Sequence, residues 1–313
     1  MQLTRQPKGR RLNRTVLLLV GVIIFVAGII FNLNTIVPAV GDQQFNLDAI
    51  VTVAMCGFNA NEMVESVRKA GDWKGPIYVI TDTPDAENKE LCTPVDVRGH
   101  HPDFLNQEDF EAYKKGIKRL NPSLYSKWHK TQIFQLLPKT IHTALFIDAD
   151  MMAKQPLATS WLPSLAKIID DPNCDYGAYH ERFYTKLPFI SKGSKSKNIG
   201  KVFGGMSLQK RKESAPLMKE WSRLMTHAPF LNRDQGKLTQ SIEATKPNMC
   251  WLPSHWWHLH NQADLMDRIW FKLVGEATFF HLASAKKGAW KEMSNTKCDL
   301  SNLPENAPTP KVL

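Results

Sequence analysis

From Thr15 to Gly41 the chain carries no charged residue, and its centre, Val16 to Phe31 (VLLLVGVIIFVAGIIF), is apolar almost throughout. A helix rises about 1.5 Å per residue, so about 20 residues cover the roughly 30 Å of a bilayer's hydrocarbon core. A cleaved signal peptide has a shorter apolar region, about 7–15 residues, ending at a small-residue cleavage site. Here the segment runs on through Asn32, Leu33 and Asn34 to Pro38, and a retained signal anchor is expected over residues 15–36. Arg5, Lys8, Arg10, Arg11 and Arg14 precede it, and the first acidic residue is Asp42. Basic flanks stay cytoplasmic, so residues 1–14 read as a cytosolic tail, 37–48 as a short stem and the rest as luminal, a type II membrane topology.

This arrangement accounts for half of the formal charge of +10, since the rest of the 313-residue chain holds 35 basic residues against 30 acidic ones. Basicity is therefore no argument for a nucleic-acid partner. Cys56, Cys92, Cys174, Cys250 and Cys298 would face an oxidising lumen, where some can pair, but spacing does not reveal which. No CxxC occurs, which argues against a thiolate zinc site.

A strand, a helix and a second strand open the luminal part. Ala49 to Ala54 is a short apolar β-rich run, Asn61 to Ala70 carries Met63, Val64 and Val67 at helical spacing, and Ile77 to Asp82 is again strand-like. That order implies a parallel pair joined by a crossover helix, with ligands bound beyond the carboxyl ends of the strands. Thr52 to Gly57, including Ala54 and Cys56, and Asp82 lie where a nucleotide is expected. Helices are expected over Asp109 to Leu120 and Ser126 to Leu137, and an apolar strand over Thr143 to Ile147. Asp148-Ala149-Asp150 follows at its mouth, and two carboxylates so spaced can meet one hard cation, magnesium or manganese.

The passage Leu145 to Leu157 (LFIDADMMAKQPL) resembles the metal-binding segment of GT-A fold nucleotide-diphospho-sugar glycosyltransferases, in particular the glycogenin-like and bacterial galactosyltransferase-like retaining group. Phe203 to Leu208 (FGGMSL) resembles that group's "F-N-x-G-V" strand, Asp234-Gln235-Gly236 its "D-Q-G" helix start, and His281 with Lys286-Lys287-Gly288 its closing "H-x-x-G-x-K" element. The resemblance spans residues 49 to 290, and the domain is expected over 49–300, followed by an extended tail over 301–313. It implies an α/β fold with a mixed, mostly parallel central sheet flanked by helices.

By the same resemblance, Asp148, Asp150 and His281 would hold Mn2+ or Mg2+. Ala54, Cys56, Asp82, Ala149, Gly204, Gly205 and Gly288 would line the donor, and Lys286 or Lys287 would reach its phosphates. Lys130 matches the family's basic residue on the helix before the metal strand, with Lys127 as the alternative. Asp234 would lie beside the anomeric carbon, stabilising an oxocarbenium-like state, orienting hydroxyls or acting as nucleophile; Gln235 could take that part instead. An N-cap is an equally compatible reading of Asp234.

The sequence departs from the group at Gly204, where Asn is usual, and at Ser284, where Gly is usual, and it lacks the Pro and Trp that follow the closing lysine, Trp290 standing a little further on. Trp251 to His260 holds three Trp and three His, readable as an acceptor platform or as a buried aromatic cluster.

The expected function is transfer of a hexose from a UDP-sugar to a glycan, glycoprotein or glycolipid, with retention, at the Golgi or endoplasmic reticulum membrane. Two other readings compete. A haloacid-dehalogenase-type phosphatase would want Thr or Val where Met152 stands, and an inactive scaffold of the same fold would keep the motifs without turnover.

Overall fold

The computed structural model describes residues 46–55, 57–98, 100, 127–157, 162–180, 202–227, 234–252, 257–259 and 279–281. Strand β1 (Ala49–Ala54) is buried at every position, as a strand covered on both faces must be. Helix α1 (Asn61–Lys69) buries Met63, Val64 and Val67. Its amino end has no side-chain cap of its own. Glu87 supplies one from outside, its carboxylate accepting the Ala60 N–H at 3.1 and 3.3 Å. Strand β2 (Ile77–Thr81), a short 3-10 turn (Pro84–Ala86) and β3 (Thr93–Asp96) complete the first unit.

There follow α2 (Ile133–Leu136), β4 (Thr143–Ile147), β5 (Met151–Ala153), α3 (Leu162–Asp170), β6 (Tyr176–His180), β7 (Val202–Lys210), α4 (Ala215–His227), α5 (Asp234–Thr245), β8 (Met249–Trp251), β9 (Trp257–Leu259) and β10 (Phe279–His281). Seven strands form one sheet in the order β3-β2-β1-β4-β7-β6-β8. The pairs β1–β2, β2–β3, β1–β4 and β6–β8 are parallel, while β7 runs antiparallel to both β4 and β6. The expected mixed, mostly parallel sheet is therefore present. One edge of it collects the carboxyl ends of β1, β2, β3, β4, β6 and β8 together with the amino end of β7. A second sheet, β5-β10-β9, lies in the chain after that edge, with His281 in register with Met151.

Alternation along the strands divides the core. Ile50, Leu145 and Ile147 pack with Met63, Val64 and Val67 of α1 and Leu165 of α3. Val51, Ala144 and Phe146 face the other way, with Ile80 and Ile133. Beyond them Tyr176 and Ala178 of β6 meet Trp128, Leu217, Trp221 and Leu238.

One expected helix is broken. Instead of a continuous helix over 126–137, a helical turn at 127–129 tightens into bonds from Lys130 N–H to Lys127 O (3.2 Å), Thr131 N–H to Trp128 O (2.9 Å) and Gln132 N–H to His129 O (3.0 Å). The Thr131 hydroxyl also donates to Trp128 O at 2.7 Å, so local bonding competes with the longer helical ladder.

Among the described residues no helix is long and apolar enough to cross a membrane. The anchor expected over 15–36, the tails over 1–14 and 301–313 and the helix expected over 109–120 lie outside those residues. Of the cysteines, Cys174 and Cys250 form a disulfide. Cys92 is a buried free thiol, pushed up to about 11 by burial, with the Glu87 charge adding to the effect. Cys56 and Cys298 lie outside the described residues.

Candidate active site

Strand β4 delivers its last residues into a tight turn. Asp148 N–H donates to Gly205 O at 2.7 Å, and Met151 N–H donates back to Asp148 O at 3.0 Å, so Asp148, Ala149 and Asp150 occupy the bend. Across β4 runs the start of β7, which is distorted at this level. Ala178 of β6 pairs with Ser207, but the next residue, Tyr179, pairs with Phe203, leaving Gly204, Gly205 and Met206 without partners on β6. Such bulges bend the strand and re-aim its backbone.

Gly205 is required by this geometry. A Cβ there would lie 2.4 Å from the Phe203 ring and 2.6 Å from Asp148 Oδ2, closer than any relaxed contact. Gly205→Ala is expected to cost about 1–3 kcal/mol, the range for overpacked interiors, and to displace the Asp148 carboxylate. Urea unfolding of the variant checks this, and an unchanged midpoint would refute it.

The first residue of α5, Asp234, comes in from the other side. Lys130 lies between the two acids, its Nζ 2.6 Å from Asp148 Oδ1 and 3.4 Å from Asp234 Oδ2. Lys127 Nζ reaches Asp234 Oδ1 at 3.3 Å. A tight 3-10-like turn brings residues three apart onto one side, which is why Lys127 and Lys130 both serve the cluster. The choice between them that the sequence left open does not arise. Lys130 also stands over the Phe146 ring, 5.1 Å from its centroid, a cation–π contact that no motif signals.

Lys130 and Asp234 are each only 6% exposed. Burial alone would push the Asp234 carboxyl up, but the Lys130 and Lys127 ammoniums and the Gln235 backbone N–H outweigh it and hold the group below its ordinary value. For Lys130 burial acts downward, and the Asp148 and Asp234 charges reverse it, raising the ammonium above the ordinary lysine value. Asp234 is thus kept ionised in a site with little water. The helix begins at Asp234 itself and not at Gln235, so the residue stands in the first turn of α5 instead of before it.

Gly204 and Gln235 adjoin Asp234, and Ala54 and Asp82 end or follow neighbouring strands at the same edge. The backbone of His281 pairs with Met151, the residue after Asp150. Cys56, Lys286, Lys287 and Gly288 lie outside the described residues. Among the described residues no three His, Cys, Asp or Glu side chains cluster as a metal site would. The two carboxylates of the turn nevertheless fit a hard, oxygen-preferring cation in kind, and Gly205 keeps side-chain bulk away from Asp148 Oδ2.

Trp251, at the end of edge strand β8, is 43% exposed on the same edge of the sheet, so the buried-cluster reading fails for this member of the aromatic run.

No family model matches the chain, and no curated protein does. Solved structures similar to it include the galactosyltransferase LgtC in complex with donor and acceptor sugar analogues, at 13% identity and a TM-score of 0.48, over 79% of this chain and 95% of that one. Mouse xyloside xylosyltransferase 1 in its apo form is 14% identical, with a TM-score of 0.42 over 74% of this chain and 96% of that one. A glycosyltransferase involved in glycosylating the major capsid of PBCV-1 is 14% identical, with a TM-score of 0.45 over 80% of this chain and 100% of that one.

Proposed function

We propose that the chain is a type II membrane-anchored, metal-dependent glycosyltransferase of GT-A type, moving a hexose from a UDP-sugar to a glycan, protein or lipid acceptor with retention at the anomeric carbon. The observation that carries this reading is the buried, ionised Asp234 held by two lysines beside the Asp148–Asp150 turn. A sugar leaving a diphosphate develops positive charge at its anomeric carbon, and a fixed carboxylate in a dry site stabilises such charge where it forms.

In this reading Asp234 faces the anomeric carbon or accepts a sugar hydroxyl, and Lys127 and Lys130 keep it charged and in place. Asp148 and Asp150, with His281, would hold Mn2+ or Mg2+, which when bound neutralises charge on the diphosphate leaving group. Lys286 and Lys287 would add point charges at the phosphates. The Cys174–Cys250 disulfide suits an oxidising compartment and so supports a luminal domain in the Golgi or endoplasmic reticulum.

The test is release or transfer of sugar from a panel of nucleotide sugars by the full-length protein in detergent, with and without manganese. Asp150→Ala should lower turnover by about 100-fold, the scale for losing one charge-stabilising group, with the thermal midpoint unchanged. Full turnover by that variant, or turnover indifferent to a chelator, would refute the reading.

A further inference from the structure

Helix α1 carries a serine on its buried face. Ser66 is 8% exposed and shares that face with Met63, Val64 and Val67, and a hydroxyl in such surroundings is costly unless it is bonded. Its hydroxyl donates to Met63 O, three residues back in the same helix, at 2.7 Å, and accepts the buried Ala153 N–H at 2.9 Å. Only a group that is donor and acceptor together makes both bonds at once.

Ala153 closes β5, the strand that leaves the Asp148–Asp150 turn. In the sheet β5-β10-β9 this strand is an edge, paired with β10 on one side, so the N–H groups on its other side need partners elsewhere. Met151 N–H turns back to Asp148 O at 3.0 Å, and two residues on Ala153 N–H reaches Ser66. The turn is thus held from both ends by directed bonds to other elements, Asp148 N–H to Gly205 O of β7 on entry and Ala153 N–H to Ser66 of α1 on exit. Apolar burial of Met151, Ala153 and Phe279 also holds this strand in the core, but burial is non-directional and does not fix how far β5 slides along α1. Asp150 stands three residues before Ala153, and the His281 backbone is in register with Met151, so a shift of β5 carries both with it. We infer that Ser66 is a positioning residue of the proposed metal centre: through Ala153 it sets where β5 lies, and so where Asp150 and the His281 backbone stand relative to Asp148. The inference rests on the metal-dependent reading above and adds to it a residue that touches neither substrate nor cation.

The experiment compares wild type, Ser66→Ala and a matched control, Ser214→Ala, in the full-length protein. Ser214 makes the same pair of bonds, accepting Lys210 N–H at 2.8 Å and donating to Asp175 O at 2.7 Å. It follows the carboxyl end of β7, at the edge of the sheet away from the carboxylates. Each variant leaves one buried N–H unpaired and should lower the thermal midpoint by about 2–8 °C. Only Ser66→Ala should raise the manganese dissociation constant, read by electron paramagnetic resonance, by about tenfold, the lower end of the loss when groups that orient metal ligands are removed. It alone should also speed hydrogen exchange over residues 151–153, by roughly tenfold for one lost bond. An unchanged dissociation constant in Ser66→Ala, unchanged exchange over 151–153, or an equal loss of manganese binding in Ser214→Ala would each overturn the inference. If wild type itself binds no manganese, the metal-dependent reading falls and the inference with it; if wild type binds and Ser66→Ala binds equally well, only the inference falls.

Discussion

Replacing Lys130 by methionine is expected to destabilise the protein by about 3–5 kcal/mol, the range for breaking a buried ion pair by removing one partner. That corresponds to a fall of roughly 10 °C in the thermal midpoint. Methionine keeps most of the unbranched apolar stem and removes only the ammonium end, with its contact over the Phe146 ring, so the loss is chiefly electrostatic. Asp148 Oδ1 loses its partner at 2.6 Å, and Asp234, 6% exposed, keeps Lys127 at 3.3 Å and the Gln235 backbone N–H. The effect has a pH signature. In the native protein the Asp234 carboxyl lies below its ordinary value, so it contributes stability above the unfolded value of about 3.9, which is lost as pH falls through the folded value. Without Lys130, burial has less opposing it and the carboxyl moves up, so the variant recovers relative stability on acidification. The gap between wild type and Lys130→Met should therefore be widest near neutral pH and narrow below about pH 4. Adding Asp234→Asn should return part of the lost stability at pH 7. A loss under about 1 kcal/mol, or a double variant less stable than Lys130→Met, would show that the lysine is not the counter-ion of this cluster.

Removing the Cys174–Cys250 disulfide should cost about 4 kcal/mol. Its two cysteines are 76 residues apart, and closing a loop of that size restricts the unfolded chain by about that amount in the chain-entropy account. The cost should also have a location. Strand β8 has three residues and pairs only with β6 among the described strands, so a covalent tie there restrains a short sheet edge against local opening. Cys174→Ala/Cys250→Ala should lower the urea midpoint and speed hydrogen exchange at β8 and at Leu252, whose N–H bonds to Ala178 O at 2.9 Å, well before the central strands. Non-reducing peptide mapping should recover Cys174 linked to Cys250. Another pairing, or a double variant as stable as wild type, would refute this.

The parts of the fold readable in advance are those whose burial is uniform. Ala49–Ala54 and Thr143–Ile147 match the expected strands residue for residue, because a central strand of a sheet covered on both faces must be largely apolar on both. Two of the strands that went unread are of a different kind. Thr93–Asp96 is a partly exposed edge strand with Pro94 within it, and Tyr176–His180 contains Gly177, whose added Cβ would meet Leu208 Cβ at 2.9 Å. That glycine is set by a neighbouring strand, and no local pattern announces it. The helix over 126–137 was misread because its apolar spacing is compatible with a continuous helix, while the bonding of Thr131 to Trp128 that tightens it depends on local competition.

By itself the sequence determined an uncharged stretch long enough to span a bilayer, two apolar strands flanking a crossover helix, and two carboxylates, Asp148 and Asp150, at the mouth of an apolar strand where one hard cation could be met. Periodicity and charge are local properties, and a chain displays them before it folds. Only the tertiary structure decided that Lys130 is shared by Asp148 and Asp234, that Lys127 joins it, and that Gly205 is obligatory. Those outcomes depend on distances between atoms far apart in the chain, which come into being only when β4, β7 and the start of α5 meet at one edge of the sheet.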